Sequence, residues 1–325
     1  MRSFTTSAVV GALALAGSAS AASATSAAPT AAPTSNTTCA QSFYILVARG
    51  SGEAVVPPGS LKYPDYTGLA GAAALKVQSQ IPGVVIGGVV YPALDGVTTT
   101  GNLNLTAYAT SEANGTTAIA DEITAYTKKC PGVKIALMGY SQGAQVVQDA
   151  LCGGIGGDAK FSLGGTTTGF NAYAPISQDL VEQNVLAVAL IADPSHIANT
   201  TYDHGNSTRN GVFSRTNTTA CNPYVAKGLY GSWCQADDLF CDSGTSLNIH
   251  DYEPLTYEDQ VAQFLVDRWN NYTTSASPSG TGSASGTASA PSGTSTTNAA
   301  GRVAGALGQP LLVGASVVLA AWLLN

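Results

Sequence analysis

The sequence has little charge, and its few basic residues are scattered. Of 325 residues, 10% are charged, against roughly 25% in a typical soluble domain. Carboxylates outnumber Lys and Arg by 20 to 13, and the longest basic run is Lys128-Lys129. Proteins that bind nucleic acids present clustered basic residues to the phosphates. The sequence offers no such cluster, so nucleic acid is excluded as a partner.

Histidine is also scarce, and the cysteines lack the spacing of a metal site. The chain has three histidines, and none lies between Cys234 and Cys241, the two cysteines closest in sequence. Structural zinc sites usually combine two closely spaced ligand pairs, and no second pair is found here. We therefore expect no metal and no organic cofactor.

Residues 1–21 have the pattern of a secretory signal peptide. Arg2 precedes a short apolar run from Ala8 to Leu15, and small residues follow up to Ala21. The run is too short for a membrane-spanning helix, which needs about 20 apolar residues. We expect cleavage after Ala21, followed by an Ala-, Thr-, Ser- and Pro-rich lead over residues 22–38.

The C-terminus has the pattern of a lipid-anchor signal. Residues 273–298 form an uncharged Ser-, Thr- and Gly-rich stalk, and residues 299–325 combine a spacer with a short apolar tail. This combination is typical of a glycosylphosphatidylinositol (GPI) attachment propeptide. Asn298 is the expected acceptor, and a single spanning helix is the alternative. We predict an extracellular protein, GPI-anchored at the cell surface or cell wall, which contacts the membrane only through the lipid.

The cysteines and the glycosylation sequons agree with secretion. An even number of cysteines in an oxidising compartment predicts disulfides, and the six are Cys39, Cys130, Cys152, Cys221, Cys234 and Cys241. The chain also carries Asn-X-Ser/Thr sequons, the acceptors of N-linked glycans. They lie at Asn36, Asn104, Asn114, Asn199, Asn206, Asn217 and Asn271.

Residues 39–272 alternate between strand-like and helix-like segments. Apolar runs predict buried strands at 42–48, 84–91, 134–138 and 185–192. Helices are predicted at 66–80, 111–129, 142–152 and 257–272, with Thr256 as the N-cap of the last one. Such alternation predicts an α/β fold in which helices cover both faces of a parallel sheet.

The sharpest motif is Gly139-Tyr140-Ser141-Gln142-Gly143, between a predicted strand and a predicted helix. A G-x-S-x-G at such a junction is typical of a nucleophile elbow, whose glycines relieve the crowding of a tight turn. The turn raises the serine hydroxyl above the sheet, beside the free amides of the helix N-terminus. We interpret Ser141 as a catalytic nucleophile.

A serine nucleophile needs a base, and His250 has the most suitable position. It comes late in the chain, where the order Ser, Asp, His of α/β-hydrolases requires the histidine. His196 and His204 lie in a polar segment crowded by sequons. We therefore expect both to be solvent-exposed loop residues.

Three aspartates are candidates for the acid that orients the base. Asp238 lies between Cys234 and Cys241, where a short disulfide loop would fix its carboxylate. Asp237 is adjacent and is expected to be solvated. Asp193 follows an apolar strand, a position where many α/β-hydrolases carry their acid, so it remains a rival.

The oxyanion hole needs two amide donors. One is expected at the backbone N–H of Gln142, directly after the nucleophile. The other is expected in the loop at 48–53, whose glycines allow an amide to turn toward the site. An ordinary glycine-rich strand exit is the alternative interpretation of that loop.

The chain resembles the fungal cutinase and acetylxylan esterase family over about 39–272. The resemblance rests on Ala48-Arg-Gly-Ser51, on the segment from Cys130 through Gly-Tyr-Ser-Gln-Gly to Val147, and on Cys234-x-x-x-Asp238-x-x-Cys241. It implies a compact, lidless α/β-hydrolase with a central five-stranded parallel sheet. The implied site consists of the nucleophile Ser141, the acid Asp238 in preference to Asp193, the base His250, and the oxyanion-hole residues Ser51 and Gln142. The implied disulfides are Cys39–Cys130 and Cys234–Cys241, which leaves Cys152–Cys221.

The resemblance implies a serine carboxylesterase that acts on acetylated xylan or cutin, and we expect a monomer. The Cys152 and Cys221 pair and the spacing from Asp238 to His250 resemble the acetylxylan esterase branch, whereas residues 48–51 resemble the cutinase branch. A non-catalytic GPI-anchored surface glycoprotein is the alternative from a different class. A serine peptidase or lipase could use the same three residues.

Overall fold

The fold is a parallel sheet covered by helices on both faces. This computed structural model describes residues 38–53, 66–96, 105–155, 160–163, 166–216 and 218–276. The elements in chain order are β1 Phe43–Ala48, α1 Gly71–Gln80, β2 Val85–Gly88, α2 Leu105–Lys129, β3 Lys134–Tyr140, α3 Gln142–Cys152, β4 Lys160–Leu163, β5 Thr166–Gly169, α4 Gln178–Asn184, β6 Val185–Ile191, β7 Asp203–Gly205, α5 Asn222–Ala226, β8 Tyr230–Cys234, α6 Leu247–Thr256 and α7 Glu258–Ala276.

The strands run in the order β2-β1-β3-β6-β8-β7, while β4 and β5 form a separate antiparallel pair. Every neighbouring pair in the larger sheet is parallel. Parallel neighbours cannot be joined by tight turns, so the chain crosses over through helices. The predicted α/β architecture is confirmed.

Strand β1 shows why the apolar runs are continuous. Tyr44 and Leu46 point into a core formed with α2 and α3, whereas Phe43, Ile45 and Val47 point into a second core formed with α1 and α7. Successive side chains in a strand point to opposite faces, so a strand buried on both faces needs apolar residues at every position.

The expected strand count of five is wrong, because the sheet has six strands. The additional strand is β7, three residues at the sheet edge that pair with Ser232, Trp233 and Cys234 of β8. The sequence Asp203-His-Gly lacks the β-branched and aromatic residues that favour strands. Pairing with β8, and not local preference, makes this segment a strand.

Three predicted boundaries also need correction. The first helix begins at Gly71 and not at 66, because Tyr66 and Gly68 adopt positive φ angles that a helix cannot contain. The second begins at Leu105 and not at 111, and its first turns pack against Phe170 and Phe213. The strand expected at 84–91 spans only Val85–Gly88.

The predicted last helix is preceded by another helix that the sequence analysis missed. Thr256 is the last residue of α6, and its Oγ1 donates to the carbonyl of Tyr252 at 3.0 Å, so it does not cap α7. Helix α7 continues to Ala276, past the expected boundary at 272. The hydroxyls of Thr274 and Ser275 donate to carbonyls one turn earlier, which satisfies polar side chains inside this last turn.

Three disulfides join the cysteines in the pairs that the resemblance implied. Cys39–Cys130 has a Cα–Cα distance of 5.6 Å, Cys152–Cys221 one of 4.9 Å, and Cys234–Cys241 one of 6.0 Å. The first two connect distant parts of the chain. The third closes a short loop directly after β8.

Several sequence predictions fall outside the described residues. They are the signal peptide, nearly all of the lead, most of the stalk, the GPI propeptide with Asn298, and the sequons at Asn36, Asn104 and Asn217. Among the described sequons, the side chains of Asn114, Asn199, Asn206 and Asn271 are exposed. Within the ranges given above, none of the helices has the length and apolarity needed to cross a bilayer.

We predict that the disulfides contribute unequally to stability. The Cys152–Cys221 disulfide joins residues 69 positions apart. Replacing both cysteines by Ala should lower the free energy of unfolding by about 4 kcal/mol. The same change at Cys234 and Cys241, 7 residues apart, should cost about 2 kcal/mol, because a shorter loop restricts the unfolded chain less. Guanidinium unfolding measures both, and equal costs would contradict the loop argument.

Candidate active site

The turn at Ser141 has a backbone conformation that residues other than glycine rarely adopt. Ser141 links β3 to α3 with φ 53° and ψ −122°. Its N–H donates to the carbonyl of Ile191 at 2.9 Å, and its own carbonyl accepts from the N–H of Ala144 at 2.9 Å. Such strain persists only where surrounding structure holds it, and it is concentrated at functional sites.

The two glycines of the motif allow this turn to form. A Cβ on Gly139 would collide with the backbone of Gly143 and Ala144. A Cβ on Gly143 would collide with the backbone carbonyls of Ala48 and Arg49. The first turn of α3 therefore lies directly against the end of β1, in a space that excludes any side chain.

Ser141, His250 and Asp238 form a continuous chain of hydrogen bonds. The Nε2 of His250 lies 2.9 Å from Ser141 Oγ, and its Nδ1 lies 2.8 Å from Asp238 Oδ2. All three side chains are buried, and Asp238 is inaccessible to solvent. The order of contacts is the one that moves a proton from a hydroxyl to an imidazole oriented by a carboxylate.

His250 is held by α6, the short helix that sequence analysis missed. The Ser246 hydroxyl accepts from the N–H of Ile249 at 3.2 Å and so caps the N-terminus of this helix. Tyr140, the residue before the serine, donates its hydroxyl to the carbonyl of His250 at 3.1 Å. The Phe240 ring and the imidazole pack nearly perpendicular to each other, with 4.7 Å between their centroids.

Asp238 is fixed by the loop that Cys234 and Cys241 close. Its Oδ1 accepts from the backbone N–H groups of Phe240 at 2.6 Å and Cys241 at 2.7 Å. With Oδ1 held by the loop, Oδ2 points to the imidazole. Two backbone donors on one oxygen fix the orientation of the carboxylate.

The two other candidate aspartates have different partners. Asp193 is buried, and its Oδ1 accepts from the N–H of Ser195 at 2.7 Å; burial raises the pKa of Asp193 to about 6. Asp237 is half-exposed and accepts from the N–H of Thr245 at 3.0 Å. Of the three candidates, the one that bonds to His250 is Asp238.

The expectation for His196 is wrong, because its side chain is buried. Its Nδ1 lies 3.1 Å from the hydroxyl of Ser232, and burial lowers its pKa. The residues just before it, Asp193 and Ser195, are buried as well, and the chain becomes exposed only from Asn199 onward. His204 is exposed but belongs to strand β7, where its ring stacks on Trp233 with 4.5 Å between centroids.

The predicted oxyanion-hole residues flank the serine. Gln142 is the first residue of α3, so its N–H has no acceptor within the helix. Its side chain is directed away, accepting from the Ser111 hydroxyl at 2.9 Å and donating to the Leu94 carbonyl at 3.1 Å. Ser51 lines the same cavity as Ser141.

The loop that carries Ser51 is held by two charged residues that sequence analysis did not single out. The carboxylate of Glu53 accepts from the N–H of Gly50 at 2.6 Å and from the N–H of Leu69 at 2.8 Å. The guanidinium of Arg49 donates to the carbonyl of Tyr91 at 2.6 Å. The sequence does contain a signal for these two residues, because an Arg and a Glu on either side of a glycine-containing loop are unusual in a chain with so few charges.

A cavity of about 630 Å³ opens onto Ser141 and His250. Its lining is mainly apolar and includes Leu105, Val212, Phe213, Leu239 and Leu247. Ligand sites of this kind bury the ligand against apolar surface and fix it with a few polar groups. The cavity can hold the acyl or alcohol portion of an ester against the hydroxyl.

One group of side chains in the described part of the chain has the proximity of metal ligands, namely Cys234, Cys241 and Glu253. The two sulfurs are joined to each other in a disulfide and offer no thiolate. Glu253 alone cannot hold an ion, so these residues do not fit a metal site.

Comparison with known proteins points to one family. A family model described as Cutinase matches residues 39–269. An acetylxylan esterase from Hypocrea jecorina is 32% identical over 200 residues, which cover 62% of this chain and 61% of that protein. Cutinase 11 from Verticillium dahliae is 28% identical over 222 residues, which cover 68% of each protein. The matched part thus spans less than two thirds of the first relative.

Solved structures share the fold. The catalytic core domain of acetyl xylan esterase from Trichoderma reesei matches with a TM-score of 0.55 and 29% identity, covering 71% of this chain and 100% of that one. A cutinase-like protein from Cryptococcus sp. matches with a TM-score of 0.50 at 19% identity, covering 71% and 98%. The second likeness concerns the fold alone.

We predict that Gly143→Ala is severely destabilising. Its Cβ would overlap the backbone of β1, which cannot move without breaking the sheet, so the free energy of unfolding should fall by at least about 3 kcal/mol. Gly132→Ala is the control, since Gly132 has φ +78° with no atom within 4 Å of the added Cβ. That variant should lose only the backbone cost of about 1 kcal/mol. Similar losses in chemical denaturation would contradict the packing argument.

Proposed function

The chain belongs to the cutinase family, and we propose that it is a secreted serine esterase that hydrolyses ester bonds of plant cell-wall polymers. The observation that carries the proposal is the hydrogen-bonded chain from Ser141 through His250 to Asp238. These residues lie at a cavity large enough for an ester, and the strained turn exposes the hydroxyl to it.

The first step is acyl transfer to the serine. Ser141 Oγ attacks the ester carbonyl carbon while His250 Nε2 takes the hydroxyl proton. Asp238 holds the imidazole in the required orientation and stabilises its positive charge. The protonated imidazole then gives its proton to the leaving alcohol as the C–O bond breaks, which leaves an acyl-enzyme.

The developing oxyanion is stabilised by backbone amides. We assign this role to the N–H groups of Gln142 and Ser51, of which Gln142 also lies at the positive end of the α3 dipole. Removing one such donor from an enzyme costs about 3–4 kcal/mol of transition-state stabilisation. The hydrogen bonds of Glu53 and Arg49 fix the loop that carries Ser51, which keeps its N–H in position to bind the oxyanion.

The second step is hydrolysis of the acyl-enzyme. With the alcohol gone, His250 removes a proton from water, and the resulting hydroxide attacks the acyl carbon. The tetrahedral intermediate collapses to release the carboxylic acid and returns the proton to Ser141. Neither reaction step requires a cofactor.

Acetylated xylan or cutin is the proposed substrate class. Two carboxylates, Asp95 and Asp251, line the cavity, and none of its described lining residues is Lys or Arg. This charge distribution favours uncharged esters over anionic ones. Both polymers carry uncharged ester groups.

We propose that the mature protein is a monomer, glycosylated and held at the cell surface or cell wall by a GPI anchor on Asn298. Its three disulfides support an oxidising extracellular location. The exposure of the described sequons is compatible with attached glycans.

We predict that Ser141→Ala lowers kcat on nitrophenyl acetate by at least about 10⁴-fold, because the variant has no nucleophile. Ser79→Ala is the matched control, since Ser79 is exposed at the end of α1 and its hydroxyl donates to the Lys76 carbonyl of the same helix. Both variants should unfold like the parent. Retained hydrolysis in Ser141→Ala would refute the assignment, and an inactive parent would favour the non-catalytic surface glycoprotein.

We predict that acetyl is the preferred acyl group, because the matching structure at 29% identity is an acetylxylan esterase. Rates on nitrophenyl esters from acetyl to palmitoyl should be highest at acetyl and fall beyond butyryl. Release of acetate from acetylated xylan should follow the same Ser141 dependence. A profile sustained into long acyl chains would instead identify a cutinase-type polyester hydrolase.

A further inference from the structure

Glu253 is a fully buried carboxyl group that the proposed mechanism does not use. It lies on α6, three residues after His250, and none of its surface is exposed. Its Oε1 accepts from the backbone N–H of Gln235 at 2.8 Å and lies 3.5 Å from the sulfur of Cys241. Its carboxyl lies beside the carboxyl of Asp238, close enough for a hydrogen bond if one of the two is protonated.

A hydrogen bond between two carboxyl groups requires a proton on one of them, because an ionised carboxylate only accepts. Asp238 already receives three donors, from the N–H groups of Phe240 and Cys241 and from His250. Glu253 receives a single backbone donor, from Gln235. The better-solvated charge is therefore on Asp238, and the proton is on Glu253.

The titratable groups that face Glu253 in the described part of the chain are carboxyls and phenols. Asp238 and Asp242 face it from the preceding loop and disfavour its ionisation. Tyr140 on β3 and Tyr257 at the end of α6 also face it, and both hydroxyls have raised pKa values. Burial, followed by the charge of Asp238, raises the pKa of Glu253 to about 10. Arg209 pairs with Asp242 at 2.8 Å.

We propose that Glu253 is a neutral carboxylic acid that donates a hydrogen bond from Oε2 to Asp238 and thereby positions the carboxylate that orients His250. Oε2 is buried and accepts no hydrogen bond from any described residue, so it is the oxygen that is free to carry the proton. The inference rests on the proposed function for its effect on catalysis. Glu253 is a positioning residue, because it acts through Asp238 and touches no substrate.

A buried neutral acid makes stability depend on pH in a definite direction. Between the ordinary glutamate pKa of 4.5 and the folded value of about 10, Glu253 is ionised in the unfolded chain and protonated in the folded one. The stability that Glu253 contributes is fully present below the unfolded pKa of 4.5 and is lost as the pH rises toward about 10. Between these two pH values, unfolding releases one proton from Glu253. Each pH unit therefore shifts the unfolding equilibrium constant about tenfold toward unfolding.

The test compares the purified full-length protein with Glu253→Gln, whose amide keeps the shape and the hydrogen-bond donor of the neutral acid. The ratio of the unfolding equilibrium constants, parent over variant, should rise about tenfold per pH unit from about pH 6 to about pH 9. A ratio that does not change with pH means that Glu253 is ionised in the folded protein and overturns the proposal. A Glu253→Gln variant that fails to fold at neutral pH also overturns it. This measurement does not require esterase activity.

A second variant, Glu253→Leu, has a similar volume but cannot donate a hydrogen bond. Glu253→Gln should retain kcat/KM within about threefold, whereas Glu253→Leu should lose about tenfold or more in kcat, the effect of a hydrogen bond to a charged group. Without the donor, the charge on Asp238 acts more strongly on the imidazole, so the acidic limb of the kcat/KM profile should move to higher pH. An unchanged profile in Glu253→Leu, or equal losses in both variants, would contradict a positioning role. An inactive parent would refute the esterase assignment but leave the unfolding result to decide the protonation of Glu253.

Discussion

The contact between the start of α3 and the end of β1 is the constraint on which the site depends. Because Gly143 lies against the backbone of Ala48 and Arg49, α3 can begin at once after β3, and Ser141 must take a positive φ. That conformation raises the hydroxyl above the sheet edge and leaves the N–H of Gln142 without a helical acceptor. Packing of α3 against the end of β1 therefore determines the positions of the nucleophile and of one oxyanion donor.

The opposite side of the site contains two neighbouring buried carboxyl groups, Asp238 and Glu253, of which we infer that only Asp238 is charged. The loop closed by Cys234 and Cys241 holds the buried Asp238 carboxylate with two backbone donors. Glu253 lies beside it with one backbone donor, and neutralising that group avoids two adjacent buried charges. One localised negative charge next to His250 is the arrangement that acyl transfer needs, since the imidazole becomes positive during the reaction.

The sequence predicted the structure correctly where the local residue pattern directly reflects the tertiary environment. Strands buried on both faces are continuously apolar, so the sheet could be predicted. The glycines of G-x-S-x-G are themselves the steric requirement of the turn, so the tight turn at Ser141 could be predicted as well. Strand β7 and the burial of His196 could not, because both arise from contacts with β8, far along the chain. Helix α6 contains Pro254 and lacks an apolar stripe, so only its contacts reveal it. The proton on Glu253 likewise depends on neighbours that no spacing rule identifies.

The most direct test of the account is covalent labelling of the full-length protein with an alkyl fluorophosphonate. An activated serine displaces fluoride and keeps the phosphonyl group, and the imidazole takes the hydroxyl proton as in acyl transfer. Intact mass and peptide mapping then count and locate the adduct. The account predicts a single phosphonyl group on Ser141, with ester hydrolysis lost in proportion to labelling. Labelling at another residue, or an unlabelled Ser141 in folded protein, would contradict it.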